Sequence, residues 1–180
     1  TAHMRVGSDV PGRITRIPGG VAMNIAMALK AYGMSPVVLS AIGQDDEGAE
    51  LIRACARLGV DASHAYRSED LPTDRYMAIE GGNGLIAAVA DAHSLEAAGD
   101  KILRAMTTGA FQNWNGLVAL DGNLTVALLE QIARDEMFRS CDLRVAPASP
   151  GKAERLTPFL KHDRATIYVN LEEAHLLLHH

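Results

Sequence analysis

A chain of 180 residues, 48% apolar and 22% charged, has the balance of a soluble globular protein with room for one core of its own. Its formal net charge of −5 argues against a nucleic-acid polymer as partner, because no basic excess exists to neutralise phosphates. No apolar run approaches the roughly 18 residues of a membrane span, and no basic-then-apolar signal segment opens the chain. Cys55 and Cys141 stand far apart and form no C-x-x-C pair. Reduced, partly buried thiols and a cytoplasmic location are therefore expected, with no membrane partner.

Residues 1–17 read as two short strands. Ala2, Met4 and Val6 alternate with polar neighbours, Ile14 and Ile17 bracket Thr15 and Arg16, and a turn-rich stretch from Gly7 to Gly12 separates the two. Gly19-Gly20 opens a helix that runs to about Tyr32, with Ala22, Ile25, Ala26 and Leu29 at helical spacing and Gly33 as its stop. The apolar run at 37–42 predicts a strand buried on both faces, and a second helix over 47–58 ends at Gly59. Residues 75–80 and 85–90 predict a hairpin around Gly81-Gly82-Asn83-Gly84. From there the order is regular: helix 95–106, strand 116–120, helix 124–136, strand 143–146, helix 151–160, strand 165–169 and a last helix. Such alternation predicts an α/β domain with a mainly parallel sheet flanked by helices. The early hairpins, at about 1–17 and 73–90, stand outside the alternation as a small β-lid would. No internal repeat, low-complexity tract or linker interrupts the chain.

The stretch Gly19-Gly20-Val21-Ala22-Met23-Asn24-Ile25-Ala26 is the most informative for chemistry. Two glycines at a helix start allow close approach to the backbone and leave the first N–H groups free for an oxygen-rich or anionic ligand. Asn24, one turn in, both donates to and accepts from hydroxyls. The same stretch also suits a plain turn or packing device. Its spacing resembles the first signature of the PfkB/ribokinase-like family of sugar and nucleoside kinases. That signature continues with glycines where this chain has Gly33 and Gly43, and Asp45-Asp46-Glu47-Gly48 resembles its G-x-D-x-x-G continuation.

Other segments agree. Thr73 to Tyr76 and Asn83-Gly84 resemble the family's lid strands, Asn170-Leu171-Glu172-Glu173 its N-x-x-E motif, and Pro147-Ala148-Ser149 with Lys152 the P-x-S-x-x-K part of a pseudouridine kinase-like segment. In that last segment Ala146 replaces the aspartate. The resemblance covers essentially the whole chain. It implies a ribokinase-like fold and ATP-dependent phosphorylation of a sugar or nucleoside hydroxyl, with magnesium, and it leans towards pseudouridine. It also implies that Asn170 and Glu173 lie near the phosphate and magnesium, with no residue of this chain binding a metal directly.

The family's G-A-G-D motif, which carries the aspartate base and an anion hole, has no counterpart after N-x-x-E here. Ala97-Ala98-Gly99-Asp100 imitates it but precedes N-x-x-E and falls within or at the start of a predicted helix. A first buried strand with a sugar-gripping aspartate is likewise missing before the lid. The chain is thus expected to be the N-terminal and central part of a single truncated domain, mainly substrate-binding and inactive alone. The alternative is a catalytically inactive sugar-binding or dimerisation module.

Further candidates follow from position. Asp121, in Leu120-Asp121-Gly122-Asn123 at a strand's carboxyl end, suits sugar hydroxyls or the capping of the next helix. Asn123 belongs to the same segment. Asp91 is a substrate contact or a turn residue, and Tyr76 stacks on a ribose or base or packs against the sheet. Trp114 reads as packing. His175 and His179, four apart, lack a third metal ligand, and Asp45, Asp46 and Glu47 need only a helix N-terminus to explain them. Free edges of the lid strands predict a homodimer through the lid.

Overall fold

The computed structural model describes residues 9–82 and 84–178. It begins with helix α1 (Val21–Ala31), strand β1 (Ala41–Gly43), helix α2 (Asp46–Leu58) and strand β2 (Tyr66–Ser68). The hairpin β3 (Arg75–Gly81) and β4 (Gly84–Asp91) follows, then helices α3 (His93–Ala98) and α4 (Arg104–Thr108). The second half holds β5 (Leu117–Asp121), α5 (Val126–Arg134), α6 (Glu136–Arg139), β6 (Asp142–Ala146), β7 (Ala165–Ile167) and α7 (Leu171–Leu178). Strands β5, β6 and β7 form a parallel sheet in that order, β1 and β2 form a parallel pair, and β3 and β4 an antiparallel one.

Local chemistry explains the boundaries. Asp45 caps α2 by accepting from the Gly48 N–H at 2.8 Å, and Gly59 closes the helix in the left-handed region, φ 71°. Thr125 caps α5 through the Leu128 N–H. The main core lies around the three-stranded sheet. Leu143 and Val145 of β6, Leu129 and Ile132 of α5, and Leu156 and Phe159 of a 3₁₀ segment are almost wholly enclosed. A smaller core of Met23, Ala26, Cys55, Val60 and Ala62 joins α1 to α2. Each fully buried side chain of this size stabilises the fold by about 1.5–3 kcal/mol relative to exposure.

Four expectations need correction. Residues 1–8 of the first expected lid hairpin lie outside the described residues. The described part, through Ile17, forms no strand: Ile14 and Ile17 are 96% and 84% exposed, and Pro11 and Pro18 remove ladder donors on either side. The lid therefore consists, among the described residues, of β3 and β4. The strand expected at 37–42 is formed only at Ala41–Gly43, apart from one bridge between Val37 and Asp61. Opposite residues 38–40 the segment 61–65 turns, the Asp61 carboxylate accepting from the Ser63 N–H and the Ala62 carbonyl from the Ala65 N–H, so the ladder is interrupted. The helix expected at 95–106 breaks at Gly99, whose φ is 53°, into α3, a 3₁₀ turn (Gly99–Leu103) and α4. The helix expected at 151–160 is a 3₁₀ segment (Pro150–Phe159), with Pro158 inside it withholding a donor.

The hairpin projects with both faces exposed, paired from Arg75 opposite Asp91 to Gly81 opposite Gly84 with a shift of register between Ile79 and Glu80. Its base is tied down. The Asp74 carboxylate accepts from the Ser94 and Leu95 N–H groups at 2.8 and 2.9 Å, and the Ser94 hydroxyl donates to the Pro72 carbonyl. Among the described residues no helix is long and apolar enough to cross a membrane.

Candidate functional site

Strand β5 delivers Asp121 to its carboxyl end, where the residue is 8% exposed. The backbone turns there: the Gly122 N–H donates to the Ala146 carbonyl, and the Asn123 N–H donates to Asp121 Oδ1 at 2.7 Å. A side chain at 122 would press on Lys152 and the Ala148 backbone, so glycine permits the close passage. Lys152 Nζ donates to Asn123 Oδ1 at 2.6 Å, and Arg155 Nη1 reaches the Gly122 and Leu124 carbonyls.

Burial pushes the Asp121 carboxyl above the usual aspartate range. The Asn123 N–H and side chain, the Ala22 N–H and the Lys152 charge work against that push without reversing it. The Ala22 contact fixes the arrangement: the first turn of α1 faces the end of β5. Gly20 caps that turn at φ 95°, a conformation open to glycine, and a Cβ at Gly19 or Gly20 would meet no atom within 4 Å. The structure thus brings Gly19, Gly20, Asp121 and Asn123 into one region with unfilled space beside the glycines. Asn24 lies on the exposed side of α1 just beyond.

The remaining predicted residues are placed elsewhere. Tyr76, in β3 opposite Ala90, is 67% exposed and does not pack on the main sheet. Asp91 ends β4 and lies 2.5 Å from His93 Nδ1, which it holds above the usual histidine range. Asn170 and Glu173 form a reciprocal capping box on α7: the Asn170 N–H donates to Glu173 Oε2 and the Glu173 N–H to Asn170 Oδ1, both at 2.9 Å. Trp114 makes edge contact with Phe111, as packing expects. His175 is exposed, and His179 lies outside the described residues. Gly99-Asp100 starts a 3₁₀ turn that interrupts the expected helix.

Other signature residues turn out to be architectural. Gly33 ends α1 at φ 84°. A Cβ on Gly43 would lie 2.5 Å from the Thr73 N and 2.8 Å from the Pro72 carbonyl carbon, and one on Gly48 would strike the Gly43 carbonyl. Asp45 locks the same crossing. It accepts from the Thr73 hydroxyl at 2.5 Å and the Thr73 N–H at 2.8 Å, which with the Gly48 N–H bring its carboxyl down to about 2. The Asp45–Thr73 lock and the Arg155 contacts are not evident from the sequence; Asp45 carried a signal, being the aspartate of the G-x-D-x-x-G segment.

The sequence pattern that defines the pfkB family carbohydrate kinases matches residues 3–180. The chain belongs to that family. An uncharacterised sugar kinase of Escherichia coli strain K12, YeiI, is 33% identical over 123 residues, which are 68% of this chain and 33% of that protein. A pseudouridine kinase of Arabidopsis thaliana is 25% identical over 162 residues, 87% of this chain and 40% of that one. Among solved structures, a carbohydrate kinase from Agrobacterium tumefaciens superposes with a TM-score of 0.83 at 24% identity, covering 98% of this chain and 57% of that one. The fold is therefore that of the ribokinase-like kinases. The chain spans about a third to somewhat over half of these family members.

Proposed function

We propose that this chain supplies the substrate-holding part of an ATP-dependent kinase that phosphorylates a hydroxyl of a sugar or nucleoside. The observation that carries this reading is the buried Asp121 carboxylate at the end of β5, set against the open start of α1. A helix start already faced by a carboxylate favours a neutral, hydroxyl-rich ligand over an anionic one. Gly19 and Gly20 let such a ligand approach the backbone, Asp121 accepts from its hydroxyls, Asn24 and Asn123 complete the polar set, and Lys152 orients Asn123. Tyr76 and Asp91, on the lid hairpin, close over the ligand. Asn170 and Glu173 are assigned to the neighbourhood of the phosphate on family resemblance; their capping box accounts for both side chains within this fold.

Magnesium would be expected with the ATP of such a kinase. Among the described residues no three His, Cys, Asp or Glu side chains are grouped to hold a metal ion. The same reading makes the chain inactive alone and places it in the cytoplasm, where its two buried thiols, Cys55 and Cys141, stay reduced. Pseudouridine is the favoured substrate, supported by Pro147, Ser149 and Lys152 and by the plant relative.

A second reading, a binding module that dimerises through the lid, is favoured by the exposure of Tyr76, Met77, Ile79, Leu85, Ile86 and Val89 on the hairpin. An ATP-consumption assay with a sugar and nucleoside panel, run on this chain and on a longer chain carrying a G-A-G-D segment, separates the two. Turnover by the longer chain alone supports the kinase reading; turnover by neither supports the module. Turnover by the 180 residues alone would refute their assignment to substrate holding only.

A further inference from the structure

Away from the Asp121 cluster, residues entering β2 and residues of the α3–α4 segment line an open cleft of about 480 Å³. Arg67, Lys101 and Arg104 line it together with His64, Ser63 and Thr108, and no aspartate or glutamate is among its lining residues. That is unusual in a chain with 22 acidic and 17 basic residues. Elsewhere Arg53, Arg57, Arg75, Arg134, Arg139 and Arg144 each meet a carboxylate within 3.3 Å. In the cleft, Lys101 Nζ sits 5.4 Å from the Tyr66 ring centroid, and neither Lys101 nor Arg104 has a carboxylate partner among the described residues. Arg67 gives one N–H to the Gly43 carbonyl at 2.7 Å, while its Nε is buried with no hydrogen-bond partner among the described residues.

Three like charges around one concavity repel each other, and a multiply charged anion seated among them relieves that repulsion. Guanidinium groups present planar paired donors to phosphate oxygens, and the lysine adds a mobile point charge. Ser63 and Thr108 bring hydroxyls to the rim. The volume suits a small molecule. None of these residues belongs to the Asp121 cluster, where a carboxylate already faces the helix start and disfavours anions.

We propose that this cleft is a second ligand site, separate from the proposed substrate site, that binds a small phosphorylated molecule through Arg67, Lys101 and Arg104. Calorimetric titration of the chain with inorganic pyrophosphate, and in a parallel arm with adenosine monophosphate, tests it. The double variant Lys101→Gln/Arg104→Gln removes two exposed charges without touching the core, and a thermal melt checks its fold. Saturable binding that weakens at least about tenfold in the double variant, weakens with added salt, and is unchanged in Asp121→Asn is the expected result. Tighter binding of the nucleotide than of pyrophosphate would support the site and identify an organic phosphate as its ligand. Absence of saturable binding in both arms, equal binding by the double variant, or loss of binding in Asp121→Asn would overturn the proposal.

Discussion

Replacing Gly43 by alanine separates the architectural glycines of the signature from those offered to a ligand. An added Cβ would lie 2.5 Å from the Thr73 N, 2.8 Å from the Pro72 carbonyl carbon and 2.9 Å from the Leu71 carbonyl oxygen. All three are backbone atoms, so no side-chain rotation relieves the clash, and two chain segments must separate by roughly 0.5–1 Å against close packing. Overpacking of this kind costs about 1–3 kcal/mol, and a clash with backbone on three sides belongs at the upper end. For a chain of this size each kcal/mol lowers the melting temperature by roughly 2–4 °C, so Gly43→Ala should melt about 6–12 °C below the parent. Gly19→Ala is the control. Its Cβ meets nothing within 4 Å and its φ lies outside the left-handed region, so its melt should stay within about 0.5 kcal/mol of the parent while ligand affinity falls. Thermal unfolding followed by circular dichroism reads both. A Gly43→Ala protein melting within a degree or so of the parent would refute the close-crossing argument.

The Asp45 carboxyl titrates at about 2 in the fold against an ordinary 3.8, so its contribution is present above the ordinary value and is lost as pH falls from about 4 towards 2. Urea midpoints should decline over that window in the parent and decline less in Asp45→Asn; parallel declines would contradict the Thr73 lock. Glu173→Gln keeps an acceptor for the Asn170 N–H and should melt with the parent, whereas Glu173→Ala should lose about 1 kcal/mol. Equal losses in the two would show that the glutamate does more than cap α7. Leu129→Ala, at a side chain with no exposed surface, should cost about 2–5 kcal/mol by chemical denaturation, and a smaller loss would mean that the core around β6 collapses to fill the gap.

Much of this architecture was legible because the second half repeats strand and helix at ordinary lengths, with caps such as Thr125 in the open. The breaks were not. Gly99 stands in a helical pattern, yet its positive φ divides the helix. The run at 37–42 is apolar except for Ser40, yet an Asx turn at Asp61, on a different segment, decides how much of it pairs. Strand formation depends on a partner edge that one segment's pattern does not encode. Ile14 and Ile17 are three apart, a spacing that puts them on opposite faces of a strand, and neither lies in a strand among the described residues. At the candidate site, spacing singled out Gly19 and Gly20 and a strand-end position singled out Asp121, but three-dimensional contact was needed to see that Ala22 faces Asp121 and that Gly43 and Gly48 serve a crossing with residues 71–73. The cationic cleft joins residues almost forty positions apart, each unremarkable in its own segment.

The substrate-holding role rests on Asp121. Because burial raises its carboxyl, the charge costs stability as pH rises from the ordinary carboxylate value through the raised one. Asp121→Asn keeps an acceptor for the Asn123 N–H and should melt no lower than the parent at neutral pH. The decisive measurement is calorimetric titration of parent and Asp121→Asn proteins with pseudouridine and a panel of free sugars. Saturable binding of at least one of these by the parent is expected, with at least a tenfold loss (about 1.4 kcal/mol) in a fully folded Asp121→Asn protein. Equal affinity in the two proteins, or no binding by the parent, would contradict it.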